Sequence, residues 1–191
     1  GFLIATAERL RRVGRVIPDH IHGIDKDEYL VRLSCLTLAL LFDTRFPVHC
    51  ADSLMWTGDG FEATSTSALT GNVSVILTNP PFGTRIICVS EANRAAFRLA
   101  HRWQYRRETG RYEETESLAA QTPPQVLFIE RCLSLLRPDG RIGIVVPESV
   151  LSSPSYRHVV QFILDSATPI AVIGMPESLF KPSGRGGTHT K

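Results

Sequence analysis

The residues best suited to chemistry lie in one short run, Thr78-Asn79-Pro80-Pro81-Phe82-Gly83, which follows the apolar segment Val73–Leu77. Two adjacent prolines cannot continue a central strand, so the run is predicted to be a rigid loop at a strand end. The side-chain carbonyl of Asn79 and the backbone carbonyl of Pro80 could accept both hydrogens of a planar amine. Such acceptors stabilise positive charge on an attacking nitrogen, and Phe82 could stack on the ring that carries it. The alternative is a proline turn without a chemical role.

Two carboxylates also follow predicted strands. Asp25 comes after the strand His20–Ile24, and Asp52 comes after the strand Pro47–Cys50. In open α/β sheets, ligands bind at the carboxyl ends of the strands. Asp25 could there accept hydrogen bonds from ribose hydroxyls, and Asp52 could accept one from an adenine amino group. Either aspartate alone could equally be a helix cap.

The elements that must position these residues alternate between helical and strand periodicity, which predicts an α/β domain with a mostly parallel sheet and helices on both faces. The predicted strands are His20–Ile24, Pro47–Cys50, Val73–Leu77, Ile142–Val146 and Pro169–Gly174, and the predicted helices are Leu3–Leu10, Asp27–Phe42, Glu91–Arg107, Pro124–Leu136 and Ser155–Leu164. Val73–Leu77 is expected to be covered on both sheet faces. One broad buried face is expected for the second helix, formed by Leu30, Leu33, Leu36, Leu40 and Leu41. Residues 53–72 are predicted to be a loop, and the tail from Lys181 is expected to be mobile.

Four arginines form the best candidate for a nucleic-acid contact. They are Arg94, Arg98, Arg102 and Arg106. Their four-residue spacing would place them on one face of the predicted helix Glu91–Arg107, where they could neutralise phosphates. The alternative is a solvated helix whose arginines pair with neighbouring glutamates.

Composition limits the remaining function classes. The chain has 191 residues, 43% hydrophobic and 21% charged, which is typical of one soluble globular domain. A net charge of +2 is too small to indicate nucleic-acid binding by bulk electrostatics. No apolar stretch approaches the roughly 18 residues that span a bilayer, and no secretory leader is recognised. The four cysteines, Cys35, Cys50, Cys88 and Cys132, lack metal-ligand spacing, so we expect reduced, mostly buried cytoplasmic thiols and no metal site.

The motifs together resemble those of a known family. Asn79-Pro80-Pro81-Phe82-Gly83-Thr84 resembles the catalytic motif of N6-adenine DNA methyltransferases, in particular the methylation (M) subunit of type I restriction-modification systems. Gly1-Phe2-Leu3-Ile4-Ala5 resembles the end of that family's glycine-rich cofactor loop and the helix after it. Pro124 through Leu151 resembles the stretch downstream, and the resemblance covers essentially the whole chain.

This resemblance implies a Rossmann-like fold that uses S-adenosylmethionine. The family's catalytic positions correspond to Asn79, Pro80, Pro81 and Phe82, which would hold an adenine flipped out of double-stranded DNA. The cofactor positions correspond to Gly1, Phe2, Asp25, Asp52, Ser53 and Asn79. The implied partners are a DNA-specificity subunit and a restriction subunit, with no membrane association.

One departure from the family pattern shapes the expected fold. Of the family's acidic-Pro-x-Cys-Gly-Ser-Gly run, only the last residues are present, as Gly1 and Phe2. We therefore expect a fragment of a catalytic domain, with a cofactor half at 1–78 and a catalytic half at 79–191, from which the central first strand is missing. The strands that end at Asp25 and Asn79 should then not be bridged to each other. Two alternatives remain: a non-catalytic scaffold with this fold, or a methyltransferase that acts on RNA bases or protein glutamine.

Overall fold

The computed structural model describes residues 1–14, 18–55, 69–82 and 90–176. Its helices are Phe2–Arg12 (α1), Glu28–Phe42 (α2), Glu91–Ala95 (α3), Pro124–Leu135 (α4), Glu148–Ser152 (α5) and Arg157–Ser166 (α6). Its strands are Gly23–Asp25 (β1), Val48–Cys50 (β2), Val73–Thr78 (β3), His101–Arg106 (β4), Arg111–Leu118 (β5) and Leu136–Ile144 (β6). The chain forms two compact units, 1–78 with 134–143, and 79–133 with 144–191.

The first unit contains a parallel strand pair of the predicted kind. β1 and β2 pair from Gly23 opposite Val48 to Asp25 opposite Cys50, and α2 connects them. A cluster of buried side chains lies against this pair: Ala7, Ile21, Leu38 and Phe46. The mixed α/β class predicted from the periodicity is therefore present, with a parallel β-α-β connection.

Helix α2 begins where the sequence predicts, but it buries a different face. The Asp27 carboxylate accepts hydrogen bonds from the N–H groups of Tyr29 and Leu30, 2.9 and 3.2 Å away, which fixes the first turn. Val31 and Leu38 are the buried residues. The five leucines expected in the core are exposed instead: Leu30, Leu33, Leu36, Leu40 and Leu41. The prediction of one buried face was wrong because this helix is apolar on two opposite sides, and periodicity alone does not choose between them.

Strand β3 pairs with β6. A Cβ on Gly140 would lie 3.0 Å from the carbonyl oxygen of Val73, and one on Gly143 would lie 2.9 Å from the Leu77 side chain, so the strands approach closely at both glycines. Coverage of β3 on both faces was a wrong expectation, since Val75 is 58% exposed. In the described parts of the chain β1 pairs only with β2 and β3 only with β6. As predicted, β1 and β3 are not bridged.

The second unit contains an antiparallel hairpin, β4 and β5, where the sequence analysis placed a basic helix. Helix α3 ends at Ala95, and a short 3₁₀ turn at Arg98–Ala100 leads directly into β4. The prediction of a helix over Glu91–Arg107 was therefore wrong. The unit's core is formed by Leu99, Val126, Ile129, Val150, Val159 and Phe162. Trp103 of β4 packs against this core, and the two-residue period of β4 leaves His101 and Trp103 partly buried, whereas Tyr105 is 56% exposed.

Residues 167–176 have no regular secondary structure, although Pro169–Gly174 was predicted to be a strand. Ile170, Val172 and Ile173 are 76 to 79% exposed. The residue types favour a strand, but a strand also needs a neighbour that accepts its backbone hydrogen bonds. No ladder reaches this segment within the described residues. The tail from Lys181 lies outside them.

Candidate active site

The predicted catalytic loop follows β3 without a break. Asn79 is exposed, Pro80 is buried and Phe82 is partly buried. Within the part of the chain that the structure describes, no hydrogen bond engages the Asn79 side chain. Along the chain, the exposed Asn79 and the buried Pro80 come directly after the paired strand β3. The loop therefore presents an exposed asparagine side chain. Gly83 and Thr84 lie outside the described residues.

The backbone chemistry of this loop limits its movement. Pro80 and Pro81 each fix φ near −65°, so the carbonyl groups around them have few alternative directions. β3 is itself held by β6 on the strand side of the loop. Carbonyl acceptors held in this way cost little reorganisation when a positive charge develops in front of them.

Asp25 lies at the carboxyl end of β1 and is exposed. Its Oδ1 accepts a hydrogen bond from the N–H of Asp27, 2.9 Å away. Its backbone carbonyl accepts one from the N–H of Ala51, 3.0 Å away, which extends the strand pairing by a residue. Because the side chain is exposed and only Oδ1 takes part in a described hydrogen bond, the second carboxylate oxygen can accept hydrogen bonds from a hydroxyl-bearing ligand.

Asp52 lies two residues beyond β2 and is partly buried. Its Oδ1 accepts a hydrogen bond from the N–H of Leu54 at 2.9 Å, and its carbonyl accepts one from Met55 at 3.0 Å, which closes a short turn. Because Asp25 is opposite Cys50 in the parallel pair, both aspartates lie at the same edge. Ser53, in the same turn, is partly buried.

The two remaining predicted cofactor residues lie at the start of α1. Gly1 is the residue before the first helical turn, and Phe2 is 45% exposed. The same turn packs on β1, since a Cβ on Gly23 would lie 2.8 Å from the Leu3 side chain. This contact connects the start of α1 to the strand that carries Asp25.

A histidine pair that the sequence analysis missed joins β1 to β2. The Nδ1 of His22 is 3.4 Å from the Nε2 of His49, the ring planes are 11° apart and the ring centroids are 5.7 Å apart. That centroid separation equals the nitrogen separation plus a ring radius on either side, so the two rings meet edge to edge. Burial and the neighbouring His22 lower the pKa of His49. The described residues contain no group of three or more metal-ligating side chains.

The four predicted DNA-binding arginines do not form one stripe. Arg94 donates hydrogen bonds to the carbonyls of Ala119 and Ala120. Arg98 pairs with Glu114 at 2.8 Å and lies over the rings of Trp103 and Phe162. Both side chains therefore serve contacts within the second unit, and the prediction of a common basic face was wrong.

The other two arginines lie on β4. Arg102 and Arg106 share one face of the strand because residues two or four apart point the same way. Both are exposed, and Arg106 is 3.4 Å from the Glu113 carboxylate. The Arg106 contact is therefore of the kind that the alternative interpretation predicts, an arginine paired with a neighbouring glutamate.

A buried carboxylate holds the start of the hairpin. Glu130 of α4 accepts hydrogen bonds from the backbone N–H groups of Arg98 and Leu99, 2.9 and 2.8 Å away. Burial raises the pKa of Glu130, against the opposite effect of these two donors. The sequence signal for this role is an acidic residue, followed by Arg131, within the otherwise apolar stretch Leu127–Cys132.

The second contact of the hairpin is with α6. The side-chain amide of Gln161 accepts a hydrogen bond from the N–H of Tyr112 and donates one to its carbonyl, each 2.9 Å long. Arg111 also pairs with Asp165. His158 lies against Trp103, and burial lowers the pKa of His158.

Comparison with known protein families shows to which family the chain belongs. A family model described as N-6 DNA methylase matches residues 1–186. The chain belongs to the N-6 DNA methylase family. This confirms the resemblance at the level of an adenine DNA methyltransferase, an enzyme that methylates DNA.

The match to the N-6 DNA methylase family includes the Asn79 loop and both strand-end aspartates. It also includes the β4–β5 hairpin and α6, whose contacts the motifs did not predict. None of the helices described for this N-6 DNA methylase is both long and apolar enough to cross a membrane.

Proposed function

We propose that this chain is the catalytic core of a cytoplasmic, S-adenosylmethionine-dependent enzyme with a Rossmann-like fold, which methylates adenine N6 in double-stranded DNA. The observation that carries the proposal is the Asn79-Pro80-Pro81-Phe82 loop, in which an exposed asparagine amide follows a paired strand and is anchored by a buried proline. Membership of the N-6 DNA methylase family supports the same reaction class.

The residues at the edge of the β1–β2 pair fit a nucleoside cofactor. Asp25 and Asp52 each use one carboxylate oxygen in a local turn and leave the other unused in the described hydrogen bonds. Carboxylate oxygens accept from hydroxyl and amino groups, which are the donors of a ribose and an adenine. Asp25 would hold the ribose and Asp52 the adenine, with Gly1, Phe2 and Ser53 beside them. When bound, S-adenosylmethionine supplies an electrophilic methyl group.

The chain's own contribution is to make an aromatic amine more nucleophilic. The nitrogen lone pair of adenine N6 is delocalised into the ring, so the free amine attacks poorly. The Asn79 side-chain carbonyl and the Pro80 backbone carbonyl would accept its two hydrogens and stabilise the positive charge that develops on nitrogen. Phe82 would stack on the flipped base, which replaces part of the stacking lost from the duplex.

We further propose that the chain acts as the methylation subunit of a type I restriction-modification system. Its partners would then be a DNA-specificity subunit and a restriction subunit. The motif resemblance along the chain supports this assignment. A separate DNA-binding subunit also agrees with a net charge of only +2, since attraction to the phosphates would then not depend on this chain alone.

The test is methyl transfer from labelled S-adenosylmethionine to unmethylated double-stranded DNA, followed by mass spectrometry of the nucleosides. We expect N6-methyladenine from the wild-type chain and almost none from Asn79→Ala. Ser74→Ala, an exposed change on β3 itself, is the matched control and should keep full activity. Methylcytosine as the product, methylation of RNA or protein glutamine instead of DNA, or no transfer to any of these substrates would contradict the proposal.

A further inference from the structure

The His22–His49 pair connects the two strands that lead to the candidate cofactor residues. His22 directly precedes β1, and His49 is the middle residue of β2. Among the described residues, the contact between their rings is the only hydrogen bond between side chains that joins these strands. The ladder beside it pairs three residues of each strand. Two-stranded sheets are marginal by themselves, so a side-chain contact of this kind contributes to the alignment of the strands.

The two aspartates stand in the same relation to each other as the two histidines. Asp25 comes three residues after His22. Asp52 likewise comes three residues after His49. In the ladder, Asp25 is opposite Cys50, two residues before Asp52, and the histidines have the same offset. The alignment that brings the ring nitrogens together therefore also sets the offset between the two carboxylates at the sheet edge.

The two rings lie on the face of the strands that is turned away from the core. A Cβ on Gly23 would lie 2.8 Å from the Leu3 side chain of α1, so Gly23 faces the helices. Val48 packs against the same core cluster. Since side chains alternate between the two faces of a strand, His22 and His49 lie on the opposite face. Both are partly exposed, so they can exchange protons with solvent.

The contact depends on how many protons the two rings carry. A hydrogen bond between Nδ1 of His22 and Nε2 of His49 needs one nitrogen with a proton and one without. Two neutral rings can meet this condition. One cationic ring and one neutral ring also meet it, and the bond is then stronger because its donor is charged. When both rings are cationic, no acceptor remains and two positive charges face each other with the nitrogens 3.4 Å apart.

The charges around the pair leave His22 as the main electrostatic influence on His49. Burial and the neighbouring His22 lower the pKa of His49 from its ordinary value of 6.5, so both rings are charged together only in acidic solution. The charged side chains of α1 and α2 lie across the strands, on the core side. The titratable and charged groups on the adjoining described segments are Asp19 and His20 before β1, Asp25 and Lys26 at its end, and Asp52 after β2.

We propose that the His22–His49 pair positions the two aspartates for the cofactor, and that charging both rings releases this alignment. The inference rests on the proposed roles of Asp25 and Asp52 in binding S-adenosylmethionine. The histidines act through the strands and are positioning residues. Because the cofactor would bind the aligned strands, its affinity should fall in acidic solution.

The first experiment tests the pair by nuclear magnetic resonance of the 191-residue chain without cofactor. The ring signals report the protonation of each histidine, and hydrogen exchange reports the alignment. The Ala51 N–H, which donates to the Asp25 carbonyl at 3.0 Å, should lose protection as His49 becomes charged. In His49→Gln, whose amide can still bond to His22 but does not titrate, this protection should stay constant from about pH 7 to pH 5.

The Ala119 N–H of the second unit is the internal reference for global folding, since it donates to the Ala100 carbonyl away from both histidines. The comparison uses the pH values at which Ala119 stays protected. Unchanged protection of Ala51 after His49 is charged would overturn the proposal. Equal loss of protection in the wild type and in His49→Gln would also overturn it.

The second experiment measures S-adenosylmethionine affinity by calorimetry over the same pH range. We expect the wild-type affinity to fall by about tenfold between pH 7 and pH 5 and the affinity of His49→Gln to change much less. His20→Gln is the matched control, because His20 is an exposed histidine of the same unit outside the pair, and it should show the full wild-type fall. Circular dichroism checks that each variant is folded at each pH.

The two experiments separate this proposal from the proposed function. Binding at pH 7 whose pH dependence is the same in the wild type and in His49→Gln would agree with the cofactor assignment and overturn the role of the pair. A chain that does not bind S-adenosylmethionine at pH 7 would contradict the proposed function. In that case the exchange experiment alone decides whether the histidines align the strands.

Discussion

At the scale of single residues, the polar side chains of the candidate site differ in how they are oriented. Asp25 and Asp52 each bind one backbone N–H through Oδ1, so their carboxylates have a defined direction before any ligand arrives. Asn79 differs, because no described residue hydrogen-bonds its amide. The aspartates are therefore oriented by their own turns, whereas the described residues orient Asn79 through the proline pair that follows it.

Asn79→Ala should affect the chemical step and leave cofactor affinity nearly unchanged. The proposed role of Asn79 is to accept a hydrogen from the target amine, and loss of one such acceptor typically costs about 100-fold or more in turnover. Single-turnover methylation measures the first effect, and calorimetric titration with S-adenosylmethionine measures the second. Unchanged turnover would remove Asn79 from the catalytic assignment.

Asp25→Asn should weaken cofactor binding more than turnover at saturation. The asparagine carbonyl can still accept the hydrogen bond from the Asp27 N–H, so the turn is preserved while the charge and one acceptor are lost. Asp43→Asn, at the other end of α2, is the matched control for loss of a carboxylate. Calorimetry that finds equal affinity for Asp25→Asn and Asp43→Asn would exclude Asp25 as the ribose ligand.

Glu130 makes a definite contribution to the pH dependence of stability. Its pKa is raised in the folded state by burial, so the folded chain binds this proton more tightly than the unfolded chain does. The stabilising contribution grows as the pH falls through the raised pKa, and it is complete below the ordinary value of 4.5.

We therefore expect the wild type to gain stability relative to Glu130→Gln as the pH falls from about 7 to 4.5, because the glutamine does not titrate. Urea unfolding of both chains at several pH values measures the difference. If the difference in unfolding free energy stays constant with pH, or changes in favour of the variant, burial is not the dominant influence on the pKa of Glu130.

The sequence predicted the position of three candidate site residues, whose roles stay predictions. Asn79, Asp25 and Asp52 each follow a strand, and strand ends can be recognised from local periodicity. Glu130 and the His22–His49 pair were missed because their partners are 27 or more residues away. Their roles depend on which elements pack together, and spacing along the chain carries no information about that.

At the scale of elements, the β4–β5 hairpin shows why the regular arginine spacing led to the wrong prediction of a helix. Residues four apart share a face in a helix, but they also share a face in a strand. The deciding features were the alternation of Trp103 and Tyr105 with polar residues and the turn at Gly110, whose φ is +65°. α1, α2 and α4 were predicted within a few residues, because each has a clear helical period or cap.

The structure now separates the roles of two arginines that the sequence had grouped. Arg102 is exposed on the outer face of β4, so Arg102→Ala should lower DNA affinity equally for all sequences and reduce the salt dependence by about one unit of log–log slope. Arg98→Ala should leave the slope unchanged and lower the melting temperature, since it removes the Glu114 pair and the packing on Trp103. DNA binding at several salt concentrations and thermal unfolding distinguish the two. An unchanged slope in Arg102→Ala would exclude a phosphate contact there.

At the scale of the whole molecule, the chain exposes more apolar surface than its sequence pattern predicted. Exposed apolar side chains occur on α2, on β3 and in residues 167–176. The same tendency applies to the cysteines, which were expected to be mostly buried. Cys35 and Cys50 are exposed, and Cys132 is buried. Hydrophobic patterning identifies which side chains can be covered, but the covering surface is set by contacts between elements.

Thiol labelling of the native chain should follow this division. Burial raises the pKa of Cys132 to about 12, so its thiol is both inaccessible and protonated at neutral pH. We expect Cys35 and Cys50 to react with a disulfide reagent at once and Cys132 only after unfolding. Peptide mass spectrometry assigns each label, and Cys88 lies outside the described residues. Rapid native labelling of Cys132 would contradict the burial of α4.

The amide of Gln161 has a consequence for the outer edge of the hairpin. The amide accepts a hydrogen bond from the N–H of Tyr112 and donates one to its carbonyl. It therefore occupies both backbone groups through which Tyr112 could pair with an incoming third strand. An open edge invites other chains to add to it and so begins fibrous aggregation. A single side chain thus blocks strand addition at Tyr112, near the beginning of β5. At this residue the hairpin cannot serve as a template for a further strand.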